Sequence, residues 1–369
     1  MTVSTATVPT APPDALPASR VVAVDVFRGL AILAVVTHHL AGLGVRYAPE
    51  DSGLGMALAV INRSLLFVVP AFVFMTALVL TRSALRHFDA ARSYRSRVRT
   101  ALLPYLVWTG LYVLFRFATG QEEAAEWRDL SRWQVWVQYG KGYYHLYFLL
   151  VVLQFYLVLP LLLPLWRRRW PLWGVLLCAS MAQLAVYGLN RIDVLNFAFP
   201  ATMAVWYVPA LTLGMYFGAN EGAFEALWAR GKRWIVGAAV IGLAWFLPLA
   251  LSALQDEQVD TLAFSAANWA YTAAAVLALF GASVALASAS SGGAGHWWVR
   301  ALTALGTLSL QIYLLHPALL YLLEQVGFPT HPLAFTLTLV GYGVVALLIP
   351  VLIARSLVGT AASRWLFGR

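Results

Sequence analysis

Apolar runs of about 20 residues recur along the chain, the length a helix needs to cross the hydrocarbon core of a bilayer. They fall at roughly 22–44, 56–81, 101–118, 143–164, 171–189, 199–218, 233–254, 267–288, 302–324 and 333–356. No stretch alternates apolar and polar positions as a barrel strand would, and no internal repeat is visible. The pattern predicts an all-α, polytopic membrane protein of about ten transmembrane helices. The polar breaks orient them. Arg82, Arg86, Arg92, Arg95, Arg97 and Arg99 fill the second break. Arg167, Arg168 and Arg169, then Arg230, Lys232 and Arg233, then Arg300, fill every second break after it. The breaks between carry Glu50, Asp51, Glu122, Glu123, Glu126, Asp129, Asp193, Asp256, Glu257 and Asp260. Basic residues mark cytoplasmic loops, so the alternation places both termini in the cytoplasm.

Composition agrees with this pattern. The chain of 369 residues is 61% hydrophobic and 11% charged, against about 25% charged for a soluble domain; its mean hydropathy is +0.74. The net charge of +9 follows from loop orientation and is no sign of nucleic-acid binding. Cys178 is the single cysteine, which excludes an internal disulfide and a cysteine zinc site. Residues 1–20, rich in Ala, Pro, Thr and Ser, read as a disordered cytoplasmic tail. Residues 21–369 read as one integral-membrane domain with no soluble domain after the last helix. The excess of Arg over Lys hints at a GC-rich bacterial genome.

The first span, "VDVFRGLAILAVVTHHL", carries Asp25, Arg28, His38 and His39. Ionisable groups inside a bilayer cost roughly 2.5–3.5 kcal/mol each and mark function or interhelix pairing. At about 100° per residue, Arg28 and His39 return to within roughly 20° of one face and lie about 16 Å apart along the axis. His38 points away. Asp25 is one turn from Arg28 and can pair with it. Against this stands a plainer reading: Arg28 snorkels to the interface and the histidines bond neighbouring helices. His145 opens the fourth span, and Ser309, Tyr313 and His316 share a face of the ninth. His39, His145 and His316 therefore fall at a common depth in the outer half.

These stretches resemble the multi-helix membrane acyltransferases of the acyltransferase type 3 family, which include glycan O-acetyltransferases. The resemblance rests on "DVFRGLAILAVVTHHL", "VVPAFVFMTALVL", "HLYFLLVVLQFYLVLPLL" and "LGTLSLQIYLLHP", with the ten-helix layout around them. It is nearest to the branch acting on extracellular poly-N-acetylglucosamine. The chain departs from the family pattern in "YRSRVRTALLP", where Thr100 stands in place of the second arginine of a pair and Arg99 lies beside it. It departs again at Thr76-Ala77, where many members have Ser-Gly.

The resemblance implies transfer of an acyl group, usually acetyl, from cytoplasmic acyl-CoA to a hydroxyl of a glycan or lipid-linked sugar, by a protein of the bacterial cytoplasmic membrane. His39 and Arg28 are the expected catalytic residues, with His39 as general base or as a transient acyl carrier. Asp25, His145, Ser309, Tyr313 and His316 are expected at the substrate. Arg92, Arg95, Arg97 and Arg99 supply cations for the donor's phosphates, although topology alone explains the same charges. No metal is expected, since the histidines lack carboxylate partners. Membrane lipids and a glycan are the expected partners. The rival readings are an exporter of polysaccharide or lipid, or a non-catalytic partner of a polysaccharide synthase. An exporter is expected to show inverted repeats and paired broken helices, and neither is legible in the sequence.

Overall fold

A computed structural model describes residues 18–49, 52–289 and 296–368. The tail expected over residues 1–20 lies outside the described residues as far as 17, and positions 18–20 already belong to the first helix. Among the described residues the secondary structure is entirely helical.

Helix α1, Ala18–Tyr47, is the axis of the bundle. One side packs Phe27 and Ala31 against α3, Val68–Arg86, and α11, Thr261–Ala289; Phe27, Phe74 and Phe280 meet edge to face or tilted at 5.6–6.2 Å. The other side packs Ile32, Val35 and Val36 against α5, Leu103–Ala118, α13, Ser309–Glu324, and α14, Pro332–Ser356. A helix buried on both sides must be apolar nearly all round, which is why its few polar residues stand out. The outer helices α8, Leu172–Arg191, and α10, Ala223–Leu254, expose Trp173, Met181, Val240 and Ile241, as a lipid-facing surface requires.

Among the described residues eight helices are long and apolar enough to span a membrane, and nine if one bent pair counts as a single span, in keeping with an all-α polytopic membrane protein. The helices depart from the ten predicted segments in two places. In the sixth predicted span, 199–218, two short 3-10 turns, Pro200–Thr202 and Ala204–Tyr207, precede the 12-residue helix α9, Val208–Ala219. The α-helix itself is about 18 Å long, short of the roughly 30 Å core. Pro200 and Pro209 break the helical start, and the turns before α9 are held by side chains instead. Gln154 of α7, Tyr147–Trp166, donates to the Thr202 carbonyl and accepts from Ala204 N–H, both at 2.8 Å. Gln183 accepts from Val208 N–H at 3.2 Å. Irregular backbone survives at membrane depth only when protein satisfies it in this way.

The second departure is the ninth span, which breaks into α12, Trp297–Thr307, and α13 with a bend of 77°. The break follows from close approach. A Cβ on Gly306 would stand 1.8 Å from the Asp25 carbonyl oxygen, and one on Gly29 would stand 2.1 Å from that of Leu302. One glycine on each helix lets α12 lie against the Asp25–Gly29 turn of α1, and α13 must then turn to follow the bundle. A milder interruption at residues 65–67 separates α2, Gly53–Ser64, from α3 within the second span.

The chain then closes on itself. Helix α15, Ala361–Phe367, is fastened to α5 by the Trp108 indole N–H donating to the Leu366 carbonyl at 2.7 Å, with Phe367 buried beside it. Between α4, Ala90–Arg97, and α5 the helix loosens into a π-helical stretch over Val98–Leu102.

Candidate active site

Three helices bring three imidazoles together. His39 of α1 lies 5.4 Å from His316 of α13, ring centre to ring centre, and His316 lies 6.1 Å from His145, just before α7. His316 is completely buried and His145 nearly so. The His316 Nδ1 sits 2.9 Å from the Ile312 carbonyl oxygen. A carbonyl only accepts, so Nδ1 carries the proton and Nε2 keeps its lone pair. No described residue bonds that Nε2, nor either ring nitrogen of His145. Tyr313 braces the group from α13: its hydroxyl donates to the His145 carbonyl and its ring lies 5.1 Å from the imidazole.

His39 differs from the other two because it meets open space on two sides. A cavity of about 710 Å³ at the α1 C-terminal end is lined by His39, Tyr144, Arg46, Arg116, Lys141 and Glu324. A second, of about 390 Å³, reaches deeper into the bundle and is lined by His39, Tyr144, Arg63, Tyr313, Trp206 and Asn268 among others. His39 and Tyr144, with ring centres 4.9 Å apart, stand between the two. No hydrogen bond within the described residues engages the His39 ring, which leaves both nitrogens for a ligand.

The two cavities differ in chemistry. The larger is polar at its rim. Glu324 accepts from the Tyr47 hydroxyl at 2.8 Å and pairs with Arg46 at 3.4 Å, and Arg116 pairs with Glu122. Lys141 rests its ammonium 4.5 Å from the centre of the Phe199 ring, and burial pulls its pKa below the ordinary lysine value. The smaller cavity is mostly apolar and aromatic.

His38 is held away from this arrangement. Its Nδ1 contacts the Asn62 carbonyl oxygen at 2.8 Å, and Asn62 donates back to the His38 carbonyl at 2.8 Å. It borders the smaller cavity, but its Nδ1 is committed to tying α1 to α2. Ser309, the first residue of α13 after the break, lines neither cavity.

Arg28 also lines neither cavity; it lies toward the opposite end of α1, with Asp25 at 3.8 Å. The spacing that puts Arg28 and His39 on one face of α1 also sets them at different depths. Near the Arg28 end, Arg97 lies over the Tyr156 ring at 4.5 Å. Arg92 and Arg97 border a cavity of about 580 Å³. Arg92, Arg95 and Arg99 border another of about 940 Å³, where Arg364 joins them from α15. Among the described residues no group of three His, Cys, Asp or Glu is placed to hold a metal ion.

Sequence reasoning passed over Tyr144, Arg63 and Arg364. Arg63 carried a usable signal, an arginine inside an apolar span. Tyr144 and Arg364 enter only through tertiary placement.

Residues 21–355 match the family model described as an acyltransferase domain, acyltransferase type 3, and the chain belongs to that family. It is a membrane acyltransferase in general terms. No curated protein and no solved structure matches the chain.

Proposed function

We propose that the protein moves an acyl group, usually acetyl, from cytoplasmic acyl-CoA to a hydroxyl of a cell-surface glycan or lipid-linked sugar. The observation that carries this reading is the position of His39, between a polar cavity and an apolar one, with both ring nitrogens open. The polar cavity suits a sugar: it offers Tyr143, Tyr144 and Tyr321 as ring faces and Glu324, Gln121 and Lys141 as hydrogen-bonding groups. The apolar cavity suits the acyl thioester end of a pantetheine arm. The arm would enter from the Arg28 end, where the arginines around α4 would hold phosphates.

In the reaction, His39 takes the proton of the acceptor hydroxyl as its oxygen attacks the thioester carbonyl carbon. The carbon–sulfur bond then breaks, and the leaving thiolate takes up the proton that His39 removed. Tyr144 aligns the imidazole, and His316 packs behind it.

The 77° break in the ninth span favours the exporter reading instead, since discontinuous helices line transport sites. One experiment separates the two. Mass spectrometry of surface glycans, with and without the gene, should show an acyl mass increment that disappears with the gene. An exporter would change the amount of glycan outside and leave its mass unaltered.

A further inference from the structure

We infer that Arg63 holds the thioester carbonyl oxygen in the smaller cavity and stabilises the negative charge that forms there. The assignment rests on the transfer reaction proposed above. Arg63 is the next-to-last residue of α2, in the span Gly53–Arg86 just before the interruption at residues 65–67. Its Nε is buried, and no hydrogen bond or ion pair among the described residues reaches the guanidinium. It lines the same cavity as His39, and that lining contains no carboxylate. The other polar groups facing the space are His38, His39, His145, Tyr144, Tyr147, Tyr207, Tyr313, Asn268 and Thr272; none carries a negative charge at neutral pH.

An arginine kept in an apolar span without a carboxylate is costly. Its Nε is sealed from solvent, and the half-buried guanidinium finds no partner among the described residues in the space it borders. What would answer it is an oxygen brought by a ligand, one that becomes negative during transfer. The first turn of α3 opens onto the same cavity through Val68, Val69 and Pro70, and a helix N-terminus adds positive potential at that point. Asn268 brings a second buried, unpartnered atom, its Oδ1. A thioester followed by the amides of a pantetheine arm offers an oxygen to Arg63 and an N–H to Asn268.

The charge balance is simple. As the acceptor oxygen attacks, the thioester C=O becomes C–O⁻ beside Arg63, and His39 holds the hydroxyl proton. The C=O re-forms as the C–S bond breaks, and the thiolate receives the proton from His39. Arg63 neither gains nor loses a proton. Fixed donors aimed at such an oxygen typically account for about 10²–10³-fold in rate.

The test is isotope-edited infrared spectroscopy of acetyl-CoA, ¹³C-labelled at the thioester carbonyl, bound to purified protein. The carbonyl stretch should lie at lower wavenumber in the wild type than in Arg63→Met, and Arg63→Lys should fall between them. Release of thiol from acetyl-CoA, with an N-acetylglucosamine oligosaccharide as acceptor, should drop by roughly 10²–10³-fold in Arg63→Met, with the donor KM little changed. Equal carbonyl frequencies in wild type and Arg63→Met would overturn the role of Arg63 while leaving the transfer reaction standing. Failure of the wild type to bind acetyl-CoA at all would sink the transfer reaction itself, and Arg63 with it.

Discussion

The two ends of α1 treat charge in opposite ways. Toward the N-terminal end ion pairs tie elements together: Arg82 and Arg86 reach Glu221 at 3.0 and 2.6 Å, and Arg28 lies 3.8 Å from Asp25. Around His39, eleven residues on, polar atoms are buried without partners: the ring nitrogens of His145, Nε2 of His316 and Nε of Arg63. Ion pairs also rim the larger cavity, as Arg46–Glu324 and Arg116–Glu122, but they stop at its edge. Leaving a buried polar group unsatisfied costs about 1–3 kcal/mol. Ion pairs hold the helices together at one end, and the unpartnered atoms gathered around His39 suit a ligand at the other.

The sharpest way to break this contrast is at the adjacent histidines. His39→Ala should lower acyl transfer by about 10²–10⁴-fold, the usual range for a lost general base, and His38→Ala should keep most of the activity. Transfer measured at matched expression decides between them. Activity in His39→Ala together with loss in His38→Ala would reverse the assignment.

A smaller effect is expected at the paired end. Replacing both Arg97 and Arg99 by Ala should weaken acyl-CoA binding by about tenfold to a hundredfold, since hydrogen bonds to charged groups contribute about 1.5–3 kcal/mol. These arginines border open cavities, so the loss should shrink as salt rises, whereas the His39 effect should be salt-independent. Titration calorimetry at two ionic strengths reads both. Unchanged donor affinity would reduce these arginines to orienting the loops.

The ten apolar segments were legible because span length and loop charge are written locally. His39 was legible for the same reason, as an ionisable group in an apolar run. The break in the ninth span was not, because the role of Gly306 depends on the backbone of Asp25, some 280 positions away in sequence. The short sixth helix escaped because the groups replacing its missing hydrogen bonds, Gln154 and Gln183, lie on other helices. The spacing puts Arg28 and His39 on one face of α1, but a helical wheel gives angle and rise without saying where the neighbouring helices leave space. The junction formed by His39 and Tyr144 is of that kind.

Tyr313→Phe probes the brace behind the imidazoles. Removing its hydroxyl frees the His145 carbonyl at a cost of about 1 kcal/mol, read as a lower thermal midpoint in detergent, with activity down only a few-fold. An unchanged midpoint would mean that ring packing alone positions His145.

The smallest effect lies outside the membrane. Asp129 caps α6, Leu130–Gln138, by accepting from the Ser131 N–H at 2.8 Å and its hydroxyl at 2.7 Å. These bonds, the hydroxyl first, hold its pKa below the ordinary aspartate value. The stabilisation is therefore present above the unfolded aspartate pKa and is lost as pH falls through the lowered folded value. Hydrogen exchange over residues 131–138 should quicken in Asp129→Ala at neutral pH and match the wild type at pH low enough to protonate the cap. A difference that persisted in acid would assign the capping to something other than the carboxylate.

The clasp between Trp108 and Leu366 decides where a reporter can be attached. Arg364, Trp365 and Gly368 border the same opening as Arg92, Arg95 and Arg99, so a bulky fluorescent protein joined after Arg369 would hang over that opening. In the proposed reaction it would obstruct the arriving donor while leaving the bundle intact. A fusion of that kind would look healthy in the membrane and fail in an assay, and the fault would lie with the label. A small tag, or a dye on a cysteine in the connection between α5 and α7, keeps the optical signal at the other end of the bundle.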